Sequence, residues 1–194
     1  MKVFLLRHAE TAWSLSGQHT GRTDIELTEG GRAQARAARA LFDRLLDQQP
    51  LDAIYSSPRR RALETAELAL GRAPSPVISD LVQEFDYGDY EGLTPAQIQA
   101  RAPGWSLWSD GCPNGESVAD VGARADAFIS DVLAKHEQQR VCVVSHGHMT
   151  RVLAARMLRL APSLGGIFEI KTASVAELVR KHAGFSLVRW NLTA

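Results

Sequence analysis

The fold is decided by the stretch Val3-Phe4-Leu5-Leu6-Arg7-His8-Ala9-Glu10-Thr11, in which four apolar residues run into an arginine and a histidine. A short, continuous apolar run is typical of a strand that is buried in a parallel sheet. Open α/β sheets bind ligands beyond the carboxyl ends of their strands. Arg7 and His8 are therefore predicted to lie at a ligand site. Strands also end in polar residues merely where they meet water, so the hypothesis needs matching residues at other strand ends.

A second buried strand, residues 140–145, supplies such a match because it ends in Ser145-His146-Gly147-His148. A third strand, residues 52–57, is followed by a helix that begins with Arg59, Arg60 and Arg61. Strands that alternate with helices indicate a parallel sheet with right-handed crossovers. The sequence therefore predicts an α/β fold, with a closing hairpin formed by residues 175–179 and 185–190.

The helix between the first strand and residue 50 has its own sequence signals. Thr28 is predicted to be its N-cap, since a threonine side chain can accept a hydrogen bond from a free backbone N–H of the first turn. Ala33, Ala37, Leu41 and Leu45 recur at every fourth position and are predicted to form the face that packs on the sheet.

Composition limits the class of protein. A chain of 194 residues suits one domain, 1–194, and its 22 basic and 22 acidic side chains cancel, which gives no global field for nucleic acid or a membrane. Cys142 lies in an apolar strand and Cys112 in a loop, so a disulfide is not expected, and neither is a signal peptide. We expect a cytoplasmic protein. Whether the C-terminal hairpin pairs two subunits as a homodimer or only closes the sheet is left open.

Two imidazoles, several guanidiniums and a carboxylate suit phosphoryl transfer, because arginine binds phosphoryl oxygens with paired N–H groups and a neutral imidazole can attack phosphorus. Residues 146–148 offer a His-x-His pair, but no further cluster of metal ligands accompanies it, and no phosphate-binding P-loop sequence occurs. Consecutive helical residues point apart, so the three arginines cannot all face one ligand. Spacing alone does not choose among the acids, which are Glu64, Glu67, Glu84 and Glu91.

Five motifs, in order, resemble those of the histidine phosphatase superfamily, which includes the cofactor-dependent phosphoglycerate mutases; the resemblance covers roughly residues 2–190. The first is Arg7-His8-Ala9-Glu10-Thr11, which resembles R-H-G-E-T. The second joins Thr20-Gly21-Arg22-Thr23-Asp24, which resembles T-G-x-x-D, to Leu27-Thr28-Glu29-Gly30-Gly31, which resembles L-T-x-x-G. The remaining three are Ser57-Pro58-Arg59-Arg60-Arg61-Ala62, which resembles S-P-L-x-R-A; Glu84-Phe85-Asp86-Tyr87-Gly88-Asp89-Tyr90-Glu91-Gly92, which resembles E-x-x-x-G-x-x-E-G; and Ser145-His146-Gly147, which resembles S-H-G.

The resemblance implies a role for each matching residue. His8 is the nucleophile, Glu84 the proton donor and later the base, and Arg7, Arg61 and His146 hold the phosphoryl oxygens. The positions that line the substrate pocket are Ser14, Thr20, Gly21, Tyr87 and Gly147. The implied fold is a three-layer α/β/α sandwich with a mostly parallel sheet, as in phosphoglycerate mutases. A small phosphorylated substrate and inorganic phosphate are the implied partners, with no metal and no other cofactor.

Departures from the family pattern favour a metal-independent phosphomonoesterase of the acid phosphatase type over a mutase. Ser14 replaces the Asn that is common in mutases, which removes an amide from the pocket. Ala9 stands where many members have Gly, but some phosphatases of the family also have Ala, so little effect is expected from it. Residues 94–116, an insert near the active site that serves as a wall, a lid or a plain surface loop, hold only Arg101 where mutases carry a basic cluster. Phosphoglycerate mutase remains the alternative, followed by a non-catalytic phosphate-binding module. A protonated Glu84 would give the phosphatase an acidic to near-neutral optimum.

Overall fold

A six-stranded sheet lies at the centre of the computed structural model, which describes residues 1–47, 49–71, 74–182 and 184–194. The strand order is β3-β2-β4-β1-β5-β6, and among these described strands β5 alone runs against the others. The strands are β1 Lys2–Arg7, β2 Ala53–Ser56, β3 Val77–Ile78, β4 Arg140–Ser145, β5 Val175–Lys181 and β6 Gly184–Leu192. The predicted parallel core and the C-terminal hairpin are therefore confirmed; Ala183, which the sequence predicts between the two strands of the hairpin, lies outside the described residues.

Helices connect the strands and cover both faces of the sheet. They are α1 Ala12–Ser16, α2 Glu29–Leu46, α3 Arg60–Leu70, α4 Pro95–Arg101, α5 Leu107–Asp110, α6 Val118–Lys135 and α7 Gly147–Met157, with short 3₁₀ turns at Asp80–Val82, Gly88–Tyr90 and Pro162–Ile167. Within the described parts of the chain, no helix is both long enough and apolar enough to cross a bilayer.

The alternation of side chains along β1 divides the core into two halves. Phe4 and Leu6 pack on the face that α2 and α3 cover, where Phe42 is one of their neighbours. Val3 and Leu5 pack on the opposite face, in the cluster that includes Phe128 of α6. The continuous apolar run thus fills two layers at once, which confirms the three-layer sandwich.

The predicted cap of α2 is present, but its predicted packing face is wrong. The side chain of Thr28 accepts a hydrogen bond from the Gly31 N–H at 2.9 Å. Leu41 and Leu45 pack against the core as predicted, so the error lies in Ala33 and Ala37, which are exposed. The buried face instead consists of Gly31, Ala35, Ala38, Leu41 and Phe42. A strict four-residue spacing drifts by about 40° per step around a helix of 3.6 residues per turn, so no single face keeps it. The large side chains fix the orientation, and alanine is tolerated on either side.

Candidate active site

The ends of β1 and β4 lie side by side at the centre of the sheet, with Arg7 opposite Ser145. The backbone N–H of His8 donates to the Ser145 carbonyl at 2.8 Å, which extends the parallel ladder by one residue. The two histidines that follow the strands therefore meet, and the ring centroids of His8 and His146 lie 5.2 Å apart. Strand register alone brings together residues that are far apart in the sequence.

His8 is held in one tautomer by its own backbone. Its Nδ1–H donates to the Ala9 carbonyl at 2.7 Å, since a carbonyl can only accept. Nε2 has no hydrogen-bond partner among the described residues, and His8 lines a cavity. Burial, followed by the charges of Arg61 and Arg7, lowers the pKa of His8 well below 6.5. The ring is thus neutral, with the Nε2 lone pair free.

His146 occupies the matching position on β4, but both of its ring nitrogens are engaged. The Nε–H of Arg61 donates to Nδ1 at 3.2 Å, so the ring proton is on Nε2, which donates to the Ser57 hydroxyl at 2.7 Å. Burial is the main cause that lowers the pKa of His146 well below 6.5, and the charge of Arg61 adds to it. This second imidazole is neutral as well, but its lone pair is occupied.

The fully buried Arg61 supports the loop between α1 and α2. Its Nη1 donates to the Thr23 carbonyl at 2.9 Å, and its Nη2 donates to the carbonyls of Thr20 at 2.9 Å and Gly21 at 3.1 Å. With the bond to His146, four of the five guanidinium N–H groups are used, and Arg61 does not itself line the cavity that contains His8. Of the neighbouring arginines, Arg60 is 66% exposed. At least one of the three consecutive arginines is therefore exposed to solvent, as expected.

Glu84 caps the N-terminus of α7 with its carboxylate. Oε1 accepts from the N–H groups of Phe85 at 3.1 Å and Met149 at 2.9 Å, and Oε2 accepts from the His148 N–H at 3.0 Å. The carboxylate is thereby fixed at the cavity that also contains His8. The competing acids have other partners: Glu91 accepts from the N–H of Gly21, and Glu64 from Arg32.

Arg7 lies between the strand end and α7. Its Nη1 donates to the Ile170 carbonyl at 2.7 Å, whereas its buried Nε has no partner. A Cβ atom at position 147 would lie 3.3 Å from the guanidinium carbon of Arg7, so Gly147 allows the arginine to lie close against the helix N-terminus. Burial lowers the pKa of Arg7, but an arginine keeps its charge at any ordinary pH.

The residues named for the substrate pocket separate into two groups. Ser14, Thr20, Tyr87 and Gly147 line a cavity of about 260 Å³ together with Arg7, His8 and Glu84. Gly21 does not line this cavity, and its N–H and carbonyl are bonded to Glu91 and Arg61. A loop glycine that matches a motif can thus position the arginine without facing the ligand.

Sequence reasoning missed several further lining residues, and His19, His148 and Arg151 are among them. His19 stacks on Tyr87 with ring centroids 4.4 Å apart, and the Tyr87 hydroxyl is hydrogen-bonded to His148 Nδ1 at 2.6 Å. Burial raises the pKa of Tyr87 well above 10, which keeps the hydroxyl proton in place. The available signal was the four-residue spacing of Gly147 and Arg151, which places both on the same face of α7.

The segment 94–116 forms a wall of this cavity rather than a separate surface loop. Pro95, at the start of α4, lines the cavity. Trp108 packs its ring under the guanidinium of Arg151, 4.6 Å from the ring centre, and Trp105 contacts His19 edge-on at 5.8 Å. Both tryptophans therefore support lining residues instead of packing only against their own segment.

The arrangement combines the groups that in-line substitution at phosphorus requires. His8 offers an unshared electron pair, Arg7 and Arg61 offer fixed positive charge, and Glu84 offers an oxygen that can give or take a proton. Fixed charges in a buried site stabilise a developing charge without reorganising, which is the main protein contribution to phosphoryl transfer.

Comparison with known proteins gives a consistent result. The sequence profile of the histidine phosphatase superfamily (branch 1) matches residues 3–193. The chain is 43% identical over 192 residues to an acid phosphatase of Mycobacterium tuberculosis, across 99% of this chain and 93% of that protein. It is 32% identical to a glucosyl-3-phosphoglycerate phosphatase of the same species, across 98% and 92%. The solved structure of an open reading frame product from M. tuberculosis has a TM-score of 0.91 at 42% identity, with 99% and 97% of the chains covered.

Proposed function

Since the chain belongs to the histidine phosphatase superfamily, branch 1, we propose that it is a phosphatase of the acid phosphatase type that hydrolyses small phosphomonoesters through a phosphohistidine at His8. One observation carries the choice of nucleophile. The His8 imidazole, which follows β1 directly after Arg7, is buried and neutral, and it lines the cavity with no partner for Nε2 among the described residues. His146, by contrast, has both nitrogens occupied.

The first step transfers the phosphoryl group to the enzyme. The ester dianion is attracted to Arg7 and Arg61, and the unpartnered Nε–H of Arg7 is one donor for its oxygens. The Nε2 lone pair of His8 forms a bond to phosphorus while the ester P–O bond breaks. The carboxylic acid form of Glu84 gives its proton to the departing oxygen. The imidazolium produced on His8 is stabilised through its Nδ1–H bond to the Ala9 carbonyl.

The second step regenerates the enzyme. The carboxylate of Glu84 removes a proton from water as the water oxygen attacks phosphorus. The P–N bond then breaks, its electron pair returns to Nε2 of His8, and inorganic phosphate leaves. Glu84 recovers the proton that it gave in the first step. No metal ion is needed for the charge balance, because the arginines supply the positive charge.

The phosphatase is favoured over a phosphoglycerate mutase by the position of Arg101. This side chain is the sole basic one among residues 94–116, it is exposed, and it does not line the cavity. A mutase must hold a second phosphoryl group and a carboxylate while the substrate reorients. Interconversion of 2- and 3-phosphoglycerate that is stimulated by 2,3-bisphosphoglycerate and faster than phosphate release would establish the mutase instead.

We also propose a reducing compartment, the cytoplasm, because Cys112 and Cys142 are both buried as free thiols. Burial raises the pKa of Cys112 to about 12, so this thiol is not disposed to form the reactive thiolate.

The test of the function is a rapid-quench experiment with a ³²P-labelled phosphomonoester, run with and without a chelator. We expect an acid-labile label on the peptide that contains His8, and phosphate release that the chelator does not change. Label on another residue, or loss of activity with the chelator, would contradict the proposal.

A further inference from the structure

A second guanidinium faces the same cavity from α7. Arg151 is anchored on one side, because its Nε donates to the Gly165 carbonyl at 2.9 Å and its Nη2 to the Gly166 carbonyl at 2.7 Å. The face of Trp108 lies 4.6 Å from its central carbon. The guanidinium is therefore fixed in plane and direction before any ligand arrives.

One edge of the Arg151 guanidinium has no hydrogen-bond partner among the described residues. Two of its five N–H groups are used, and the two on Nη1 with the remaining one on Nη2 have no partner among the described residues. An adjacent pair of N–H groups on Nη1 and Nη2 matches the two oxygens of a carboxylate or phosphate. In the described part of the chain Arg151 also has no ion pair within 4 Å, and the carboxylate of Glu169 acts on its pKa only from a longer range.

The two histidines that line the cavity with Arg151 are neutral. Burial lowers the pKa of His19 to about 4, and burial with the charge of Arg151 lowers that of His148 well below 6.5. The carboxylate of Glu84, which also lines the cavity, already accepts hydrogen bonds from the backbone N–H groups of α7. The cavity thus has two fixed cations, Arg7 beside the nucleophile and Arg151 on the wall. The proposed phosphoryl transfer uses Arg7 and Arg61 and leaves Arg151 without a role.

We propose that Arg151 binds a second anionic group, a carboxylate or a second phosphate, on the leaving part of the substrate, and so makes the enzyme select doubly anionic phosphomonoesters. The inference rests on the proposed phosphatase function and names the substrate class for that site. The cavity of about 260 Å³ is small, which limits the two anionic groups to one small molecule.

The experiment compares substrates that differ by one anionic group. 3-Phosphoglycerate is paired with glycerol 3-phosphate, which replaces the carboxylate by a CH₂OH group, and fructose 1,6-bisphosphate is paired with fructose 6-phosphate. An aryl phosphate, which has no second anionic group, measures the basal phosphatase activity. Wild type is compared with Arg151→Gln, Arg151→Lys and the control Arg101→Gln, which removes an exposed cation that does not line the cavity.

We expect wild type to prefer the doubly anionic member of at least one pair, and which pair it is identifies the carboxylate or the phosphate. Arg151→Gln lowers that preference in kcat/KM by roughly 10- to 100-fold, mainly through KM, because one charged hydrogen-bonding partner is lost. Arg151→Lys gives an intermediate preference, since it keeps the charge but loses the fork. Arg101→Gln leaves the preference unchanged.

Two results would overturn the inference while the phosphatase proposal stands: a wild type that hydrolyses the aryl phosphate but prefers neither doubly anionic substrate, or an Arg151→Gln variant that loses both members of each pair equally. A wild type that hydrolyses none of the five substrates would overturn the phosphatase proposal and this inference with it.

Discussion

The two strand ends at the centre of the sheet differ in hydrogen bonding rather than in residue type. β1 and β4 are neighbouring parallel strands, each is followed by a buried histidine, and the pKa of each ring is lowered well below 6.5. Nevertheless, His8 keeps a free Nε2, whereas Arg61 and Ser57 occupy both nitrogens of His146. We therefore propose that equivalent positions serve as the nucleophile and as a positioning group because of what the rest of the chain places next to them.

The largest expected effect tests that difference directly. His8→Ala should lower the hydrolysis of an aryl phosphate by roughly 10⁴-fold or more and abolish acid-labile labelling, because the covalent route is lost. His146→Gln should lower the rate by less, roughly 10²- to 10³-fold, and keep the label on His8, because it removes the ring that positions the Arg61 guanidinium. Labelling in His8→Ala, or its absence in His146→Gln with the fold intact, would break the comparison.

The next largest effect on activity concerns the proposed role of Glu84, which lines the same cavity as His8. Glu84→Gln should lower kcat by roughly 10²- to 10⁴-fold for an alkyl phosphate, whose leaving oxygen needs a proton. The loss at the phosphorylation step should be smaller for a nitrophenyl phosphate, whose leaving group departs as an anion. Single-turnover release of the alcohol measures that step. Equal losses with both leaving groups would contradict Glu84 as the general acid.

The pH profile tests the neutral state that the two rings share. Since the pKa of His8 is lowered, the imidazole stays unprotonated as the pH falls through 6.5, and kcat/KM should show no acid limb there. The same shifts affect stability: below pH 6.5 the unfolded chain binds protons that the native His8 and His146 do not, so the free energy of unfolding should fall as the pH is lowered. Denaturant titrations measure the second effect. An activity that halves near pH 6.5 on the acid side would contradict the assignment for His8.

The smallest effect concerns the Ser57 hydroxyl, which distinguishes the surroundings of His146 from those of His8. Ser57→Ala leaves the buried Nε2–H of His146 without its acceptor, so the free energy of unfolding should fall by about 1–3 kcal/mol. Ser16→Ala, at an exposed serine, is the matched control and should change it little. An unchanged stability in Ser57→Ala would show that this bond does not hold the ring.

The helix α2 and the helix α7 show why parts of the fold and the site were beyond sequence reasoning. The periodicity placed α2 correctly, but Ala33 and Ala37 are exposed because alanine does not specify a face. On α7, the sequence did not single out Arg151, because its anchors at Gly165 and Gly166 come from a distant turn. Long-range partners of this kind leave no local pattern in the sequence.

The sequence by itself determined the parallel core and the residues that end its strands, because apolar runs and the polar residues that follow them are local properties of the chain. It also singled out His8, Arg7, Arg61, Glu84 and His146 through motifs. Only the tertiary structure decided which ring nitrogen is free, that Gly21 positions Arg61 instead of lining the cavity, and that Arg151 shares the cavity with Arg7. These features depend on burial and on hydrogen bonds between residues far apart in the chain, which exist only once the sheet and its helices have packed.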